Sequence, residues 1–185
     1  MTAQVPLTYP LSGLLAEPAG TERRFEVSGA EIQLPDDLRL IEPLNGRVRV
    51  TRTNRGVLVD AQITTAIAGS CSRCLRDIEM PLRIEIHEEV LPRVDIATGR
   101  ALDGNAEPEV ARLTDHHELD FGLLASEGIS LNEPIAPLCE PDCPGLCITC
   151  GERLGPSHVK HDLVEVDPRL AALQAFRVDG EGESE

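Results

Sequence analysis

Val57-Leu58-Val59-Asp60-Ala61-Gln62-Ile63-Thr64-Thr65-Ala66-Ile67-Ala68-Gly69-Ser70 runs directly into Cys71-Ser72-Arg73-Cys74, and the chain resumes as Ile78-Glu79-Met80-Pro81-Leu82-Arg83-Ile84-Glu85-Ile86. In the first run Val57, Val59, Ala61, Ile63, Thr65 and Ile67 share one parity. In the second, Ile78, Met80, Leu82, Ile84, Ile86 and Val90 do the same, with charged residues between them. Successive side chains of a strand point to opposite faces, so this alternation is the signature of half-buried antiparallel strands. Gly69-Ser70 breaks the pattern. The spacing predicts a long hairpin with Cys71 and Cys74 at its tip.

Working outward, Val48 and Val50 alternate with Arg47, Arg49 and Thr51, and Asn54-Arg55-Gly56 supplies a turn. Phe25, Val27, Ile32 and Leu34 around Gly29 predict one or two further short strands over Arg23 to Leu34. Residues 1–22 carry Pro6, Pro10, Pro18, Gly13 and Gly20 and read as an extended lead-in. Residues 93–116 lose the alternation, gain acids, Gly99, Gly104 and Pro108, and read as a mobile acidic loop. Asp120 reads as an N-cap for a short helix bearing Phe121, Leu124 and Ala125, with Gly128 ending its regular turns. Ile129 to Cys139 then leads extended into a second cysteine cluster. Asp167-Pro168 predicts another short helix with Leu170, Leu173 and Phe176, and residues 178–185 form an acidic tail expected to be disordered. The expectation is a single domain over residues 23–177. Its class is mainly β (α+β): an antiparallel sheet or partly open barrel with a long cysteine-tipped hairpin, a zinc-knuckle segment over 139–151 and one or two short helices.

The chain of 185 residues is 41% apolar but has no Trp, one Tyr and three Phe. Its core must be built from Leu, Ile, Val and Ala, which makes a metal staple more useful. The formal net charge of −15 argues against a general DNA or RNA binder, whose affinity comes from neutralising phosphates, and favours a basic partner. Arg47, Arg49, Arg52 and Arg55 are the one dense basic run, read first as a solvated strand face and second as a phosphate track. No stretch is long and apolar enough to span a membrane, and the first residues lack a signal-peptide pattern. The cytoplasm is the expected compartment, with cysteines as thiols or metal ligands.

Six cysteines fall in two groups, Cys71-x2-Cys74 and Cys139-x3-Cys143-x3-Cys147-x2-Cys150. A C-x2-C turn presents two sulfurs in one direction, and two pairs close a tetrahedral structural zinc site. Three sets of four are open. Cys71 and Cys74 with Cys147 and Cys150 is favoured narrowly, because both halves have the short turn. The others are Cys139, Cys143, Cys147 and Cys150, or Cys71 and Cys74 with Cys139 and Cys143. Gly151, after Cys150, fits a knuckle that needs positive φ.

The spacing Cys143-x3-Cys147-x2-Cys150 also matches radical enzymes that use S-adenosylmethionine, but here it comes late, with too little chain after it for their barrel. A redox role needs a thiolate at a helix start, and the chain after Cys74 alternates as a strand. His158-x2-His161 could be a ligand pair, though its place after Gly155-Pro156 reads first as an exposed loop. His87 sits on the polar parity of its strand. No nucleophile triad, phosphate-binding Gly loop or paired catalytic carboxylate is found, and a closed all-thiolate site leaves no open position for a hydrolase. No catalytic residues are expected.

The order of the pieces resembles a known family. Cys71-x2-Cys74-Leu75 on a hairpin is followed by an acidic loop, then Asp120-x3-Leu124-x2-Glu127-x-Ile129-x-Leu131, then Pro137-x-Cys139-x3-Cys143-x-Gly145-Leu146-Cys147-x2-Cys150-Gly151. This is similar to the bacterial YceD family, also called DUF177, described as accumulation proteins for the large-subunit ribosomal RNA. The resemblance covers about residues 20–155. It implies a role in making, processing or stabilising 23S rRNA, and brings no catalytic residues. With the charge, it leads to the expectation of a non-enzymatic factor that holds a basic ribosomal protein or assembly factor of the large subunit, without membrane or DNA partners. The alternative is direct binding of 23S rRNA through the knuckles and the Arg47 to Arg55 run. Leu154-Gly155-Pro156 departs from the Asn-rich turn common in the family after the last knuckle.

Overall fold

The computed structural model describes residues 7–35, 38–102, 109–159, 161 and 169. The expected helix after Asp167-Pro168 and the expected acidic tail lie outside the described residues, as do 103–108 of the acidic loop.

Among the described residues eight elements follow one another: β1 (Thr8–Pro10), α1 (Ser12–Leu15), β2 (Glu22–Ala30), β3 (Leu40–Arg52), β4 (Val57–Ser70), β5 (Asp77–Val90), β6 (Glu118–Asp120) and α2 (Phe121–Leu131). β2, β3, β4 and β5 form a four-stranded antiparallel meander, and β1 pairs with β6 in a second, two-stranded antiparallel sheet. Neither sheet closes into a barrel among the described residues.

The long hairpin is the spine. Ala61 pairs with Ile86, Ile63 with Ile84 and Ile67 with Met80, and the ladder continues to Ser70 and Asp77 at the tip. The in-phase parity read from the sequence therefore puts Val57, Val59, Ile63, Ile67, Ile84 and Val90 on one buried face. At about 25 cal/mol per Å² of apolar surface removed from water, that face drives the packing.

The segment before Glu22, expected as an extended lead-in, instead carries β1 and α1, and Leu7, Leu11, Leu14 and Leu15 enter the main core. Two of its prolines lie where helix and ladder do not exclude them: Pro10 ends β1 and Pro18 follows α1. Tyr9 stacks on Phe25 with ring centroids 4.2 Å apart and lies 6.0 Å from Phe121, and burial raises the Tyr9 pKa. Tyr9, Phe25 and Phe121 are thus gathered at one place, where the two sheets and α2 meet.

α2 starts as expected: the Asp120 side chain accepts from the Leu123 backbone N–H at 3.1 Å. It does not stop at Gly128 but runs to Leu131. Gly128 lies inside the helix because α2 packs closely on β5: a Cβ there would stand 3.0 Å from Ile84 Cγ2. The glycine marks a close approach and not a helix end. Phe121, Leu124, Ala125 and Ile129 make the buried stripe that docks α2 on the sheet.

Candidate metal centre

The tip of the β4–β5 hairpin is a tight turn. Leu75 N–H donates to the Cys71 carbonyl at 2.9 Å, Cys71 N–H donates to the Arg76 carbonyl at 2.8 Å, and Leu75 takes φ 56°. Three bonds bring the later chain to it. Ser72 N–H donates to the Pro137 carbonyl at 2.8 Å, the Arg73 guanidinium to the Cys143 carbonyl at 3.0 Å, and Arg153 Nε to the Cys74 carbonyl at 3.0 Å.

The result is a cluster of four sulfurs from Cys71, Cys74, Cys139 and Cys143, all within 4.8 Å of one another. The Cys71 and Cys143 sulfurs are 3.8 Å apart and those of Cys74 and Cys139 3.7 Å. A disulfide needs about 2.05 Å, and all six cysteines are free. Zinc–sulfur bonds of about 2.3 Å make a regular tetrahedron with edges of about 3.8 Å. The donor set and its spacing fit a closed tetrahedral ion. Cys71, Cys74 and Cys143 are buried and form a small core of their own with Ile78 and Leu146 packed against it.

The electrostatics point the same way. Burial raises the Cys71 thiol pKa, but hydrogen bonds from the backbone of Cys139, Cys74 and Arg73 outweigh this and bring it to about 6. Cys139 is pushed up to about 12 by burial and by the neighbouring thiols, and burial raises Cys143. Four sulfurs this close oppose one another's ionisation, whereas a divalent cation between them stabilises all the thiolates.

Of the three open sets, the structure brings the hairpin-tip sulfurs together with those of Cys139 and Cys143 and not, as in the narrowly favoured set, with those of Cys147 and Cys150. The preference rested on both halves having a short turn. The hydrogen bond from Ser72 to Pro137 decides otherwise, because it delivers the segment just before Cys139 to the hairpin tip. Cys147 and Cys150 have different neighbours. With His158 and His161 they form a second group whose ligand atoms all lie within 4.8 Å. The two histidines were weighed as a ligand pair and read first as exposed loop residues; what the sequence reading did not draw was their partnership with Cys147 and Cys150. The signal was present, since Cys147-x2-Cys150-x7-His158-x2-His161 is a complete local set of four donors.

His87 lies on the exposed face of the sheet, and its Nδ1 is 2.7 Å from Asp60 Oδ1. Arg49 reaches the other Asp60 oxygen at 3.1 Å. Arg24 and Arg47 line the same open cleft as this pair. Arg24 is itself 3.2 Å from Glu22.

These features define a class: a β-sheet protein whose hairpin tip and C-terminal segment converge in cysteine and histidine clusters that could hold metal ions. The chain belongs to the YceD family, since the model of the large ribosomal RNA subunit accumulation protein YceD matches residues 59–177. An uncharacterized protein of Mycobacterium tuberculosis is 34% identical over 126 residues, covering 68% of this chain and 58% of that protein. An uncharacterized protein of Mycobacterium leprae is 30% identical over 142 residues, covering 71% of this chain and 58% of its own length. The match thus spans under two thirds of these relatives. No solved structure matches the chain. No helix among the described residues is long and apolar enough to cross a membrane.

Proposed function

We propose that this chain is a non-catalytic cytoplasmic factor of large-subunit biogenesis. It supports the synthesis, processing or stability of 23S rRNA by holding a basic ribosomal protein or assembly factor. The observation that carries this reading is the family match over residues 59–177, whose description names accumulation of the large ribosomal RNA. The formal charge of −15 supports a cationic protein partner over broad contact with RNA. Cys71, Cys74, Cys139 and Cys143 would hold a structural zinc ion, with all four positions taken by thiolates and none left for a substrate.

Direct contact with rRNA is the second reading, favoured by the placement of Arg24, Arg47 and Arg49 along one open cleft of the sheet. The ion pairs of Arg49 with Asp60 and of Arg24 with Glu22 already offset part of that charge. Affinity capture of the tagged chain from cells, followed by identification of bound protein and RNA, separates the two. A basic large-subunit protein or assembly factor is expected, lost as salt rises. Recovery of rRNA with no protein, abolished by Arg47→Glu and Arg49→Glu together, would establish the second reading instead.

A further inference from the structure

The turn at Cys147 to Glu152 repeats the hairpin tip bond for bond. Gly151 N–H donates to the Cys147 carbonyl at 2.9 Å, as Leu75 does to Cys71, and Cys147 N–H donates to the Glu152 carbonyl at 2.7 Å, as Cys71 does to Arg76. The fifth residue takes positive φ in both turns, Leu75 at 56° and Gly151 at 74°. The Thr149 N–H points at the Cys147 sulfur at 3.4 Å. A backbone that turns its N–H groups toward a sulfur stabilises thiolate there.

The turn does not stand alone. Leu146 and Arg153 form an antiparallel bridge, Leu154 N–H donates to the Gly145 carbonyl at 2.9 Å, and Arg153 anchors the whole unit to the Cys74 carbonyl. Across from the turn, His158 Nε2 lies 3.3 Å from the Cys150 sulfur. The His158 and His161 rings meet edge-on, with centroids 5.2 Å apart and planes at 64°. With bonds of about 2.3 Å to sulfur and about 2.0 Å to nitrogen, a tetrahedral ion separates its sulfur and nitrogen ligands by about 3.5 Å. The rings do not lie face to face, so both can direct a nitrogen at one point.

We infer that Cys147, Cys150, His158 and His161 form a second zinc site, separate from the four-thiolate cluster. It differs from the first in donor set and in exposure. Cys150 and His161 are exposed and Cys147 and His158 half-buried, whereas three of the four sulfurs in the first cluster are buried. Binding replaces the two thiol protons, which pass to solvent, and leaves both imidazoles neutral. The second ion lies nearer solvent and exchanges faster than the first. This inference is independent of the ribosomal reading.

The test is metal content and cobalt spectroscopy on the full chain. Purified protein loaded with zinc and freed of excess is expected to carry two ions per chain, falling to one when His158→Ala and His161→Ala are combined. Cobalt titration of metal-free protein is expected to fill two sites with different thiolate-to-cobalt charge-transfer intensities, the weaker band absent from the variant. Cys150→Ser, checked for retained β structure by circular dichroism, should also carry one ion. One ion in the unmodified chain overturns the inference, as does a double histidine variant that keeps two. Loss of both ions on changing the histidines would overturn the independence of the two sites.

Discussion

Cys74 and Cys139 are 65 positions apart in the chain, yet their sulfurs stand 3.7 Å from each other. An ion held there closes a long loop that contains β5, β6 and α2. Constraining a loop of that length stabilises the folded state by on the order of 4 kcal/mol in the chain-entropy picture. Replacing Cys139 with Ser should therefore lower zinc content by one ion and lower the unfolding free energy by a few kcal/mol. The sheet should persist, because the main core and the cysteine cluster have no buried residue in common and meet at the partly buried Ile78, which packs against both. Denaturant unfolding with metal analysis checks both. Unchanged metal content in Cys139→Ser would remove this ligand from the site.

Leu75 and Gly151 hold equivalent positions in the two knuckles, and both take positive φ. The left-handed region costs an L-residue about 1–2 kcal/mol and glycine little. Gly151→Ala should thus destabilise the second turn by about 1 kcal/mol and weaken its ion. Leu75 is 62% exposed, so Leu75→Gly loses little packing, and it should leave global stability unchanged or slightly raised. A pair of melting curves decides this; a Leu75→Gly variant that melts far below the parent would show that the leucine side chain matters more than its backbone.

Asp60 sits between His87 and Arg49 on the open face of the sheet. Its hydrogen bond to His87, helped by Arg49 and opposed by burial, lowers its pKa below the ordinary 3.8. A carboxylate depressed in the folded state adds stability that is fully present above its unfolded pKa and is lost as pH falls through the folded one. The gap in melting temperature between the parent and Asp60→Asn should be open at pH 6–7, about two or more units above the unfolded carboxylate pKa, and should close as the pH falls below about 4. A gap that stays constant down to pH 2, about two units under that pKa, would place the effect outside this carboxylate.

Phe121 is fully buried and is the first residue of α2; its N–H donates to the Leu7 carbonyl at 2.9 Å. It locks α2, β1 and the sheet together. Phe121→Ala should cost about 3–5 kcal/mol through lost transfer free energy and the cavity left behind. Chemical denaturation measures it. A loss under about 1 kcal/mol would mean that the neighbours collapse into the space.

The hairpin was legible because one physical rule, alternation of burial along a pleated strand, acts over most of β4 up to Thr65 and again over β5, on either side of the break at Gly69-Ser70 and the cysteine turn. Asp120 was legible because an N-cap is a local bond. The lead-in was not: Leu7, Leu11, Leu14 and Leu15 become core only because β1 pairs with β6, more than a hundred residues on, and no local period announces that pairing. Gly128 misled for the same reason, since its role is set by Ile84 on another strand. At the cysteines, residue type and the knuckle turn could be read, including positive φ at Gly151. The partnership could not. Similar turn spacing suggested that knuckle meets knuckle, while the fold gives each knuckle a different complement, one a pair of thiols and the other a pair of imidazoles.

Separation of the large apolar interior from the small cysteine interior has a consequence for biosynthesis. β2 to β5 leave the translating ribosome well before Cys139 and Cys143, and chains fold from the N-terminal side as they emerge. The meander can therefore assemble while its tip thiols are still without their partners. Closure around the proposed ion would have to wait until the segment bearing Cys139 and Cys143 has emerged, so scarcity of metal would yield a chain with an intact sheet and that later segment unfastened from the hairpin tip.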